Sequence, residues 1–243
     1  MRLRLLFAVC WLAATAGAQQ SFSTTTVPAV GTMPGPGVLW KTDVEIVNDT
    51  GSPADVVMEL ATVPDAPAIF FDLGPGEVKV FTDVIGQAFG LPHALSPLRV
   101  TTSARRAMTV RATVYGIHNG EISKPQSVTA YQGQTWYPLR ALDDLSFTEE
   151  SRTNIGLVNF GDTQAEFLLA LQRIPGRNLA VAYITVEPTT LAHMSIQSIF
   201  PLISKGDGFT VVIETQSRDT YVYASVIDND QTGRFVAPRL GVR

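Results

Sequence analysis

The 243-residue chain has three histidines, His93, His118 and His193, and each stands alone. A histidine metal site needs two rings on one face, at i, i+2 or i, i+4, and no pair has that spacing; nor does an HExxH occur. Isolated imidazoles predict structural or surface roles, because a catalytic triad is defined by geometry rather than by the presence of its members. No serine sits in a GxSxG elbow, and there is neither a GxGxxG fingerprint nor a phosphate loop. Two carboxylate groups are left to weigh. Asp143-Asp144 reads as a solvated loop, since chain neighbours rarely converge on one substrate. Asp228-Asn229-Asp230 offers the oxygens that calcium takes, but Gln231-Thr232-Gly233 does not continue a calcium loop, and a simple turn is the better reading. The expectation is no catalytic residue, no metal and no cofactor.

Aromatic rings offer a second chemistry, because β-sandwiches bind sugars by stacking rings on them. Tyr131, Trp136 and Tyr137 cluster near mid-chain, and Trp40 opens an early apolar run. The competing use of such residues is packing, between domains for the cluster and in a core for Trp40; it is favoured here.

What must position these residues is a repeat. Lys41-Thr42-Asp43-Val44-Glu45-Ile46-Val47-Asn48 returns 111 positions later as Arg152-Thr153-Asn154-Ile155-Gly156-Leu157-Val158-Asn159. Asp55 to Leu60 matches Glu166 to Leu171 at the same offset, and Arg106 to Val114 matches Arg218 to Val226 at 112. A self-match at a nearly constant offset means two copies of one folding unit. Within the copies the periodicity is two. Val56, Met58 and Leu60 alternate with Asp55, Val57 and Glu59, the pattern of a strand with one face in a core. Asn48 to Pro53, Gly74-Pro75-Gly76, His118-Asn119-Gly120 and Lys205 to Gly208 are turn signals. Gly31 to Gly37 reads as an irregular lead into the first core strand. Each copy has one possible helical turn, Asp83 to Phe89 and Ser195 to Phe200, with Phe89 and Phe200 as plugs closing one end of a core. The expected fold is all-β: two tandem immunoglobulin-like antiparallel sandwiches of about seven strands each, over residues 23–132 and 133–243.

Trp40 to Asn48 after a Gly-rich stretch, Arg152 to Asn159, and Ala224-Ser225-Val226-Ile227-Asp228-Asn229 resemble tandem Ig-like modules in secreted proteins of environmental bacteria. The resemblance covers most of the chain beyond residue 18 and implies the sandwich architecture. It carries no catalytic signature. The chain departs from it at Ser151, where the first copy has Trp40.

Differences between the copies are a guide to use. The outward positions Glu45, Val57, Glu59, Thr109, Arg111 and Thr113 become Gly156, Leu168, Ala170, Tyr221, Tyr223 and Ser225. An apolar face of that extent is usually a contact surface. Something is therefore expected to cover Leu168, Tyr221 and Tyr223: the first copy, the tail around Phe235-Val236, or another protein.

The start of the chain reads as a secretory signal over residues 1–18, with Arg2 and Arg4, an apolar run from Leu5 to Ala14, and Ala16-Gly17-Ala18 for cleavage. Cleavage removes Cys10, the one cysteine, and takes the net charge from −4 to −6 as two arginines leave. Neither nucleic acid nor membrane insertion is expected, because no basic stripe or further long apolar run is present. The sequence thus predicts a secreted or periplasmic, non-enzymatic structural or protein-binding module. Carbohydrate binding through Tyr131, Trp136 or Tyr137, near the domain join, is the alternative.

Overall fold

A computed structural model describes residues 22–132, 137–228 and 233–241. The signal segment, Trp136, Asn229 and Asp230 lie outside the described residues. The chain is all-β, with three antiparallel sheets and two four-residue helical turns among the described residues.

The first sheet has ten strands. They are β1 (Ser23–Gly35), β2 (Val38–Val47), β3 (Ala54–Leu60), β4 (Ile69–Leu73), β5 (Val78–Phe81), β6 (Ala94–Thr102), β7 (Thr109–His118), β8 (Glu121–Ile122), β9 (Gln126–Val128) and β10 (Tyr131–Gln132). Strand β1 makes the sheet curl into a half-barrel. Ser23 to Thr32 pair with β6, whereas Met33 to Gly35 pair with β2, with a register shift between Val27 and Val30. One strand thus serves both layers, β4-β3-β6-β1-β10 and β5-β2-β7 with β8 and β9. Between them lies a core that includes Val44, Ile46, Met58, Leu98 and Val110. Each such side chain contributes roughly 1.5–3 kcal/mol by leaving water. The alternation from Val56 to Leu60 holds, with Val56, Met58 and Leu60 buried.

The remaining strands are β11 (Leu139–Phe147), β12 (Ser151–Asn159), β13 (Ala165–Ile174), β14 (Arg177–Val186), β15 (Thr190–Ser195), β16 (Gly206–Glu214), β17 (Thr220–Asp228), β18 (Gly233–Val236) and β19 (Arg239–Leu240). They form a five-stranded sheet, β14-β13-β16-β11-β19, and a four-stranded sheet, β15-β12-β17-β18. Leu142, Phe167, Leu169 and Val211 from the first meet Ile155, Leu157 and Val222 from the second in one core.

Helical turns α1 (Val84–Gln87) and α2 (Ile196–Ile199) lie where the sequence places them, and Phe89 and Phe200 are buried. Asp83 and Ser195 cap them, accepting from the N–H groups of Gly86 and Ser198. Threonine hydroxyls tie first strands to second ones. Thr42 Oγ1 accepts from Gly31 N and donates to Gly31 O, and Thr153 Oγ1 does the same with Ser146. Buried amides pin the ends of β2 and β12. Asn48 Nδ2 donates to the carbonyls of Ser52 and Leu73, and Asn159 Nδ2 to those of Thr163, Val186 and Glu187.

Three expectations are corrected. Strands outnumber seven per copy, because short edge strands such as β8 and β19 extend the layers. Gly31 to Gly35 is the end of β1 itself, and only Pro36-Gly37 turns, with Gly37 at φ 69°. Asp143-Asp144 is solvated, with Asp144 exposed, but it is not a loop. The pair sits in β11 at a register shift, where Arg239 donates to Asp143 and Arg234 pairs with Asp144, fastening β19 and β18.

Candidate functional site

The outer face of the four-stranded sheet is covered from within the chain. Val158, Tyr221 and Tyr223 form a buried cluster with Ala29 of β1, and Leu95, Tyr131, Phe160, Leu191 and Phe235 pack against it. The first half of the chain and the tail, two of the three covers expected, act together. The Tyr131 ring stacks on Tyr221 at 4.3 Å between centroids, and Tyr223 stacks on Phe235 at 5.1 Å. Arg99 lies over the Phe160 ring at 4.9 Å. Burial pushes the Tyr221 hydroxyl up to about 12, and moves the Tyr131 and Tyr223 hydroxyls upward as well. Arg140 is buried beside this seam, donating from Nη2 to Thr220 Oγ1 and from Nε to the Tyr137 carbonyl.

Glycine makes room for this arrangement. Gly156 pairs with both Tyr223 and His193 across β12, and a Cβ at Gly156 would overlap Cε1 and Cζ of Tyr223. The exchange of charged Glu45 and Arg111 for Gly156 and Tyr223 therefore lets a ring lie flat across its neighbouring strand.

Not all of the predicted face belongs here. Leu168 and Ala170 lie on β13 in the five-stranded sheet, so they look away from Tyr221 and Tyr223. Leu168 pairs with Tyr183 of the edge strand β14, on which Leu179, Val181 and Tyr183 are 52%, 49% and 82% exposed. The sequence reading passed over β14, although Leu179, Val181 and Tyr183 alternate visibly along it. Of the predicted aromatic set, Tyr131 has one ring face occupied by Tyr221. Tyr137 is exposed, and Trp40 is half-buried in β2.

Between the halves lies a cavity of about 420 Å³, lined by residues that include Trp40, Gln126, Arg152, His193, Tyr223 and Phe235. His193 keeps over a third of its surface accessible although protein surrounds it, as a side chain on a cleft wall does; burial lowers its pKa. His118 Nδ1 lies 2.5 Å from the Gly37 carbonyl, and its Nε2 accepts from Asn119. Among the described residues no group of three or more His, Cys, Asp or Glu side chains is placed to hold a metal.

Comparison of the chain with protein-family models, curated proteins and solved structures returns no match.

Proposed function

We propose that the chain is an exported, non-enzymatic structural module of two duplicated Ig-like sandwiches that joins a second copy of itself through β14. Export rests on the basic, apolar and small-residue pattern of residues 1–18 and leaves the protein periplasmic or secreted. Support for duplication comes from strand order. The layers β4-β3-β6-β1-β10 and β5-β2-β7-β9 have counterparts in β14-β13-β16-β11-β19 and β15-β12-β17-β18. The matching bonds of Thr42 with Thr153 and of Asn48 with Asn159 support the same reading.

The observation that carries the assembly role is the uncharged edge of β14 beyond its register shift at Leu179. Edge strands are normally protected by charge, proline or a bulge. From Ala180 to Val186 there is no charged residue, no proline and no register shift, and among the described residues one side of β14 has no neighbouring strand. A two-fold axis through Ala182 would set Val181 opposite Tyr183 of the second copy and Arg177 opposite Glu187. Apolar then meets apolar, opposite charges close both ends, and two five-stranded sheets become one.

Sedimentation of the mature chain tests this. A concentration-dependent dimer is expected, with Val181→Lys monomeric and melting where dilute, monomeric wild type melts. A wild-type monomer throughout the micromolar range overturns it. Polysaccharide binding by Tyr131, Trp136 or Tyr137 has less support, because Tyr131 already gives one ring face to Tyr221.

A further inference from the structure

Two residues on the wall of the cavity between the halves carry buried polar atoms that nothing among the described residues satisfies. Gln126 is 7% exposed and Tyr223 1% exposed, both line the cavity, and among the described residues neither Gln126 Nε2 nor Tyr223 Oη has a hydrogen-bond partner. Both atoms can donate. Leaving a buried donor unpaired is costly, and packed interiors seldom tolerate two on one cavity.

Charge around the cavity is equally one-sided. The chain has 22 Asp and Glu residues, yet among the described residues no carboxylate lines the cavity. Arg152 supplies a permanent positive charge and forms no ion pair among the described residues. Met33, Val114, Val128 and Phe235 make much of the remaining wall apolar. The volume of about 420 Å³ falls in the range of small-molecule sites.

We infer that this cavity binds a small organic acid with an apolar body. Its carboxylate balances Arg152, and further acceptor oxygens take the free protons of Tyr223 and Gln126. Selectivity for an anion follows from the lining, since an amine would meet Arg152 with no carboxylate to offset it. The site is separate from β14, so its failure and that of the assembly reading are distinguishable.

The test is calorimetric titration of the intact mature chain with aliphatic and aromatic hydroxy and keto acids of about six to fourteen carbons, a size suited to such a pocket. Matched methyl esters and amines serve as controls. Saturable binding at one acid per chain is expected, with esters weaker and amines silent. Tyr223→Phe and Gln126→Leu should each lower affinity about tenfold, the loss of one buried hydrogen bond. Because each also removes an unpaired buried atom, the unliganded melting temperature should hold or rise. Arg152→Met should abolish the preference for acid over ester, and Val181→Lys should leave binding unchanged. No saturable binding by any acid overturns the inference. So does acid binding that Tyr223→Phe and Gln126→Leu leave intact.

Discussion

The ring of Tyr131 lies flat on the ring of Tyr221, with the planes 3° apart and the centroids 4.3 Å apart. Tyr131 belongs to β10 and Tyr221 to β17, so this contact bonds the half-barrel to the four-stranded sheet. Truncating either ring to alanine should cost about 3 kcal/mol, as for a buried aromatic. The double variant should cost about 1 kcal/mol less than the sum, the coupling of a stacked pair. Urea denaturation of the four proteins measures it, and additive values would mean that the rings contribute independently.

Gly156→Ala places a methyl group in the Tyr223 ring. The ring must swing out, so a loss of about 2–3 kcal/mol is expected from overpacking. Tyr223→Ala costs stability by itself but removes the obstacle. In that background Gly156→Ala should be nearly neutral. An equal penalty in both backgrounds would place the strain in the backbone of β12 instead.

Asn48 and Asn159 each donate to buried carbonyls at the end of a core strand. Substitution by alanine leaves those carbonyls without a donor, and about 1–3 kcal/mol should be lost at either position. Aspartate should be worse, because carboxylate oxygens would face carbonyl oxygens. Similar losses at the two sites are expected of duplicated scaffolds; a large disparity would count against equivalent roles.

Asp83 governs an acid dependence. Burial acts to raise its pKa, but bonds from Lys41, Thr32 and the Gly86 N–H outweigh it and hold the carboxyl below its ordinary value. The Lys41 Nζ to Asp83 Oδ2 distance is 2.6 Å. A folded-state pKa below the unfolded one stabilises the protein fully above the unfolded pKa, about 4, and that gain is lost as pH falls through the folded value. Asp83→Asn tolerates the same left-handed backbone, at φ 52°, and isolates the charge. The variant should be about 1 kcal/mol less stable than wild type at pH 7, with the gap closing as pH falls through the lowered folded-state value. A gap independent of pH would assign the loss to capping alone.

Local chemistry was legible without coordinates wherever it depends on chain neighbours. Alternation placed Val56, Met58 and Leu60 inside, and Asn-Gly at 119–120 marked the turn between β7 and β8, with both residues at positive φ. The 111-residue offset paired Asn48 with Asn159 before their bonds were known. What lies across a face is a different kind of information. Period two says that Leu168 and Tyr223 both point outward, but the outer faces of two packed sheets look in opposite directions. Only the assembly of the layers sent Tyr223 against Phe235 and left Leu168 beside exposed Tyr183. The cavity was hidden for the same reason. Gln126 and Tyr223 are 97 positions apart in the chain, and the folding of one half against the other brings both to its wall.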